Sequence, residues 1–87
     1  MSNLEDYRTS IDLLDEAIIN LLAERMRIVQ KVGEYKKQNN LAPLQKERWK
    51  KVLSSKLNLA KSKNLDPLLV ADIWNMIHKH ALEMEKR

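Results

Sequence analysis

The chain has 87 residues, of which 44% are hydrophobic and 32% charged, and its formal net charge is +4. This length predicts a single domain, residues 1–87, with a small core. No apolar run is long enough to span a membrane and no secretion signal is recognisable, so we expect a cytoplasmic protein without a membrane partner. The sequence has no cysteine and two histidines, which excludes disulfides and makes a metal site improbable.

The first predicted helix covers residues 3–38, with Asn3 as its N-cap. Its apolar residues recur with the spacing of an amphipathic helix, at Leu4, Ile11, Leu14, Ile18, Leu21, Leu22, Ile28, Val29 and Val32. Such a helix is roughly 50 Å long, whereas a compact globule of this chain length is only about 30 Å across. One chain cannot cover this apolar stripe, so we predict a symmetric homodimer.

Two cations interrupt the apolar face of this helix. On a helical wheel with Arg8 at zero, the apolar stripe lies between about 240° and 320°, and Arg25 and Lys36 fall at about 260° and 280°. A bare buried charge is very costly, so each needs a partner. One interpretation is structural, with an acid such as Asp72 as the partner or a side chain that reaches water. The other is an internal binding site for an anionic ligand.

The rest of the chain predicts two shorter helices. Asn39-Asn40 ends the first helix, and a second is expected over residues 44–63. Asp66-Pro67 is a strong start signal for a third, which runs to near the C-terminus. Its inward face is Val70, Ile73, Trp74, Ile77, Ala81 and Met84, and Glu85 can also face inward, although at a fraying end it is expected to be solvated. The fold class is therefore all-α, with three helices.

The sequence has two further features, a glycine within the first helix and a cluster of basic residues, to which we assign no function. Gly33, within the first helix, costs about 1 kcal/mol relative to alanine unless a close approach uses the space, and we interpret it as tolerated. Basic residues cluster mid-chain, at Lys46, Arg48, Lys50, Lys51, Lys56, Lys61 and Lys63. No nucleic-acid reading motif accompanies them, so we interpret this face as solvated and expect no nucleic-acid partner.

The sequence resembles the all-helical chorismate mutase family over nearly its whole length. The residues that carry the resemblance are Arg8, Leu14-Asp15, Leu21-Leu22-Ala23-Glu24-Arg25, Val32-Gly33, Lys36, Pro43, Glu47-Arg48, Leu65-Asp66 and Ile77-His78. The resemblance implies an intertwined homodimer with two sites between helices, each borrowing an arginine from the other chain. It also implies rearrangement of chorismate, a dianion, to prephenate in aromatic amino acid biosynthesis, without a cofactor.

The resemblance assigns roles to individual residues. Arg25 is expected to bind a substrate carboxylate, and Lys36 to contact the ether oxygen of the breaking bond as well as a carboxylate. Arg8 of the partner would close on the other carboxylate, and Arg48 would lie in the wall near the ring hydroxyl. Glu85 occupies the position from which a glutamine, or in some members a glutamate, donates a hydrogen bond to the ether oxygen.

Three positions depart from the family pattern. Trp49 replaces a frequent glutamate that binds the ring hydroxyl, Ala81 replaces a frequent serine, and Gln45 replaces a frequent aspartate. Two alternatives therefore stay open. One is an isochorismate pyruvate-lyase, since some members of that group have an apolar residue at the position of Trp49. The other is a non-catalytic regulatory or docking module of a shikimate-pathway enzyme.

Overall fold

Three helices make up the fold of this chain. A computed structural model describes residues 3–87, in which α1 covers Leu4–Gln38, α2 covers Lys46–Ser62 and α3 covers Pro67–Glu85. Within these residues there is no strand. The all-α prediction with one very long N-terminal helix is confirmed.

The helix ends follow the local sequence signals. The side chain of Asn3 accepts a hydrogen bond from the Asp6 backbone, and the Asp6 side chain accepts one from the Asn3 backbone, which forms a capping box. Asn40, after the end of α1, has a positive φ of 56°. The Asp66 side chain caps α3 by accepting from the backbone N–H of Leu68. These signals set the boundaries of α1 and the start of α3 as predicted.

The second helix is shorter than predicted. It begins at Lys46 rather than Leu44, because Gln45 is its N-cap with an extended backbone, and it ends at Ser62 with Lys63 as the C-cap. The φ and ψ of Gln45, −111° and 91°, are not helical, so Leu44 cannot belong to this helix. Its apolar residues cover one face, on which Trp49, Val52, Leu53 and Leu57 are half-buried and Ala60 is buried.

The third helix is the centre of the packing. It contacts both α1 and α2, whereas within residues 3–87 α1 and α2 do not contact each other. The buried apolar core is Ala60, Val70, Ile77 and Ala81, three of which lie on α3. Ile73, predicted to face inward, is 42% exposed. It lies beside the buried Val70 and Ile77 on α3, at a position that its own chain covers only in part.

Gly33 marks where α3 crosses α1. It is buried, and a Cβ placed on it would lie 3.0 Å from the Cα of Glu85 and 3.3 Å from its Cγ. The interpretation of Gly33 as tolerated slack is therefore wrong, since the missing side chain allows the two backbones to approach. This contact brings the end of α3 onto α1 and orders Glu85.

The N-terminal half of α1 extends away from the other two helices. The described chain measures 58 × 24 × 15 Å, and apolar side chains on this half are largely exposed, including Ile11 at 55%, Leu14 at 63% and Ile18 at 55%. The prediction that one chain leaves its longest helix uncovered is confirmed. None of the three helices in residues 3–87 has an apolar stretch that could cross a membrane.

Candidate active site

A cavity of about 320 Å³ lies among the C-terminal halves of α1 and α3 and the start of α2. Its lining combines a mostly apolar wall with a few polar side chains, which is the usual make-up of a small-molecule site. The lining residues are Arg25, Ile28, Val29, Val32, Lys36, Pro43, Gln45, Arg48, Trp49, Val52, His78, Ala81 and Glu85. The polar groups come from all three helices and from the link between α1 and α2.

Lys36 and Glu85 form an ion pair at one end of this cavity. The Nζ atom of Lys36 donates to Oε1 of Glu85 at 2.6 Å and to the backbone carbonyl of Pro43 at 2.6 Å. The two side chains are only 16% and 8% exposed. Glu85 is therefore buried rather than solvated at the helix end, and the prediction that it can face inward is confirmed.

Arg25 lies in the same wall without a protein partner for one of its nitrogens. Its Nη1 atom is buried, and no group within residues 3–87 accepts a hydrogen bond from it. Asp72, the acid considered as a partner, is exposed and does not pair with Arg25 or Lys36. Because Arg25 also lines the cavity, its guanidinium, which has one nitrogen without an acceptor, is a natural contact for an anionic ligand.

Trp49 and His78 form a stacked pair in the opposite wall. Their ring centroids are 3.9 Å apart and the two planes differ by 9°. Burial is the main cause that lowers the pKa of His78 from its usual 6.5; Glu85 raises it, and Arg25 and Lys36 lower it further. Burial therefore favours the neutral form of the imidazole.

The other predicted site residues divide into two groups. Gln45, Arg48 and Ala81 line the cavity. The Gln45 amide also donates to the carbonyl of Ala42 at 2.7 Å. Arg8 is not in this wall; it is exposed on the projecting half of α1, where its Nη1 lies 2.8 Å from Oε1 of Glu5.

The charge balance of the cavity favours an anion. Three cationic side chains, Arg25, Lys36 and Arg48, face a single carboxylate, Glu85. The excess positive charge surrounds a partly apolar cavity, where a charged ligand interacts more strongly than in open water. Within residues 3–87 no group of three or more His, Cys, Asp or Glu side chains could hold a metal ion.

Two polar groups of the cavity, in His78 and Pro43, were given no role in the site from the sequence. His78 lies three residues before Ala81 and seven before Glu85, so helical periodicity could have placed it on the same face of α3. The Pro43 carbonyl, which accepts from Lys36, has no sequence signal because backbone groups are the same at every position.

Comparison with known proteins identifies the family. A model of chorismate mutase type II matches residues 7–86. The chain belongs to this family. The resemblance drawn from the sequence is thereby confirmed, and the cavity is the candidate active site of a chorismate mutase-type domain.

Several relatives carry names that agree with this assignment. The bifunctional chorismate mutase/prephenate dehydratase of Buchnera aphidicola subsp. Acyrthosiphon pisum is 32% identical over 93% of this chain and 21% of its own length. The T-protein of Haemophilus influenzae is 33% identical over the whole chain and 23% of its own length. The chorismate mutase of Methanocaldococcus jannaschii is 28% identical over the whole chain and 88% of its own length. The chain thus spans under a quarter of the first two.

Proposed function

We propose that this chain catalyses the intramolecular rearrangement of chorismate to prephenate in the cavity between its helices. The observation that carries the proposal is the buried Nη1 of Arg25, which has no acceptor within residues 3–87 and lies in the same cavity wall as Lys36. Chorismate carries two carboxylates on a compact, mostly apolar frame. It therefore complements a small apolar cavity with an excess of cations.

Lys36 can stabilise the ether oxygen of the substrate, the atom whose charge increases during the reaction. An ammonium has three N–H donors, of which two are used by Glu85 and Pro43. The third N–H can donate to the ether oxygen of the substrate, and a substrate carboxylate would lie near the same ammonium. As the carbon–oxygen bond breaks, this oxygen gains electron density, and a fixed cation beside it stabilises the transition state more than the ground state.

Glu85 has two roles in this proposal. As a carboxylate it holds the Nζ of Lys36 at 2.6 Å and fixes the direction of the remaining N–H. In its protonated form it donates a hydrogen bond to the ether oxygen, which an ionised carboxylate cannot do. The reaction is pericyclic, so no nucleophile is required. Catalysis comes from holding the reactive conformer and from placing positive charge at the oxygen.

A second copy of the chain completes the site in this proposal. Arg8 precedes Arg25 by 17 residues, which is about 25 Å along α1, so it cannot reach the cavity of its own chain. Its helix half exposes an apolar stripe that another copy can cover. An intertwined homodimer would place Arg8 of one protomer over the cavity of the other, where it binds the second carboxylate.

The test is to mix purified protein with chorismate, follow the loss of its ultraviolet absorbance and identify the product. Formation of prephenate is the expected result. Release of pyruvate from isochorismate, with no turnover of chorismate, would instead assign a pyruvate-lyase. Absence of both reactions in a folded protein would indicate a non-catalytic helical module and overturn the proposal.

A further inference from the structure

The function proposed above gives no role to the stacked pair of Trp49 and His78. Both rings line the cavity that holds Arg25 and Lys36, and they stack at 3.9 Å with nearly parallel planes. Within residues 3–87 no side chain donates to or accepts from the imidazole of His78. One of its nitrogens is therefore free to meet a ligand in the cavity.

The cavity has many hydrogen-bond donors and few free acceptors. Lysine, arginine and the indole of tryptophan can only donate, and these account for Arg25, Lys36, Arg48 and Trp49. Glu85 uses its Oε1 atom for Lys36 and, in the role proposed above, serves the ether oxygen of the substrate. The neutral acceptors that remain in the lining are His78 and Gln45, and Gln45 is exposed, with its amide tied to the Ala42 carbonyl.

A substrate with a ring hydroxyl needs such an acceptor. When the hydroxyl leaves water and enters an apolar cavity, its proton must find a partner, or the binding energy of that group is lost. A neutral imidazole offers one acceptor nitrogen and one N–H donor, and the two can therefore exchange a hydrogen bond with a hydroxyl. A protonated imidazole has no acceptor.

We propose that His78 accepts the hydrogen bond of the substrate's ring hydroxyl, and that Trp49 is a positioning residue whose indole holds the imidazole in place. The inference rests on the proposed function, because it takes chorismate as the ligand. It makes His78 the group that distinguishes a hydroxyl-bearing ring from one without the hydroxyl. The cations, in contrast, recognise the carboxylates of either ring.

The experiment compares two substrates in three variants. The substrates are chorismate and the same molecule with hydrogen in place of the ring hydroxyl. His78→Phe keeps an aromatic ring against Trp49 and removes the acceptor, whereas His78→Gln keeps an acceptor and removes the stacked ring. His80→Phe is the matched control, since His80 lies two residues away on α3, is exposed and does not line the cavity.

We expect His78→Phe to lower kcat/KM for chorismate about tenfold, which is the usual cost of one lost hydrogen bond. The kcat/KM for the analogue without the ring hydroxyl should change by no more than about twofold. His78→Gln should recover part of the loss on chorismate. His80→Phe should leave both substrates unchanged. If His78→Phe does not fold, as judged by circular dichroism, His78→Leu replaces it in the same comparison.

Two outcomes overturn the inference in distinguishable ways. Equal losses on both substrates would mean that His78 acts through packing alone, and the mutase activity itself would stand. A wild-type protein that turns over neither substrate would overturn the proposed function together with the role of His78.

Discussion

At the scale of single residues, the two cations of the α1 face have different surroundings. Lys36 has an acid and a carbonyl within 2.6 Å, so its charge is balanced inside the protein. Arg25 has a buried nitrogen with no acceptor in residues 3–87. A buried N–H donor without an acceptor has lost its hydrogen bonds to water and gained none in return, which lowers the stability of the protein. A ligand that accepts a hydrogen bond from this N–H would remove that cost. Arg25 is therefore the cation that most clearly belongs to a ligand.

Replacement of Arg25 by alanine separates the functional from the structural interpretation. We expect kcat/KM to fall by about 100-fold or more, because a charge-assisted contact in the transition state is lost. The melting temperature should change by only a few degrees, since the exposed Asp72 is not its partner and no buried acid is left unpaired. Activity and thermal unfolding are measured on the same preparation.

Arg27→Ala is the control for this variant, because Arg27 is exposed on the same helix. It should retain both activity and stability. A large loss of stability in Arg25→Ala, with activity per folded molecule unchanged, would assign Arg25 to a structural ion pair.

The pKa of His78 gives a pH dependence of stability with a definite sign. Burial lowers this pKa below 6.5 in the folded protein, so the unfolded chain binds the proton more readily. The contribution of His78 to the free energy of unfolding is therefore fully present above pH 6.5. It is lost as the pH falls through the lowered pKa of the folded protein. His78→Phe should therefore show a smaller loss of urea stability than wild type between about pH 7.5 and about pH 5.

Wild type and His78→Phe differ only at residue 78, so the difference between their two pH profiles reports the effect of removing this imidazole. Identical profiles for wild type and His78→Phe would show that protonation of His78 does not differ between the folded and unfolded states.

The sequence predicted the cations of the site better than their neighbours. A helical wheel placed Arg25 and Lys36 on the apolar face, because both belong to one regular helix. Their surroundings depend on how α3 crosses α1, which periodicity does not give. Asp72 was therefore considered as a partner, whereas the structure pairs Lys36 with Glu85, 49 residues away in the chain.

At the scale of helices, the crossing of α1 and α3 positions the site. Gly33 and Glu85 touch at the crossing, and Lys36 is one turn further along α1. The backbone contact sets where Glu85 lies, and Glu85 sets where the ammonium of Lys36 points. A glycine near the C-terminal end of α1 thus allows the close approach of α3.

Gly33→Ala should destabilise the protein by about 1–3 kcal/mol, although alanine is the better helix former by about 1 kcal/mol. The new Cβ would lie 3.0 Å from a backbone atom, the Cα of Glu85, so α3 has to give by a few tenths of an ångström. This shift strains the contact between Glu85 and Lys36 and should lower activity. Urea unfolding and kcat/KM are the measurements.

Lys31→Ala provides the matched substitution at an exposed position of the same helix, and it should change stability by no more than about 0.5 kcal/mol. If Gly33→Ala proves more stable than wild type, the close approach is not a constraint, and the interpretation of Gly33 as slack is restored.

The boundaries of the helices were predictable where local chemistry decides them. Asn3 and Asp66 bond to the backbone of the following turn, and such caps depend only on neighbouring residues. The start of α2 was missed by two residues, because Gln45 caps it without a side-chain hydrogen bond. The exposure of Ile73 was not predicted either. A helical wheel shows which residues share an apolar face, but not which of them the other helices of the chain cover.

At the scale of the whole molecule, the described chain is incomplete as a packed unit. The projecting half of α1 exposes large apolar side chains over several turns, and its Arg8 lies outside its own cavity. Exposed apolar surface of this extent usually marks an interface. One symmetric arrangement would cover the stripe and complete two cavities at once.

If the folded state is a dimer, its stability must depend on protein concentration. Each tenfold increase in concentration should add about 1.4 kcal/mol to the apparent stability, so the unfolding midpoint should rise. Sedimentation should give the mass of two chains at micromolar concentration. A folded monomer with a concentration-independent midpoint would contradict the shared site.

The most direct test of the account is complementation between two variants, Arg8→Ala and Arg25→Ala. Each alone should be nearly inactive, because every site lacks one carboxylate contact. When the two are unfolded together and refolded, half of the dimers are mixed. In each mixed dimer, one cavity has its own Arg25 and an intact Arg8 from the partner. We therefore predict recovery of about a quarter of the wild-type activity on chorismate; a refolded mixture no more active than its two components would contradict a site shared between chains.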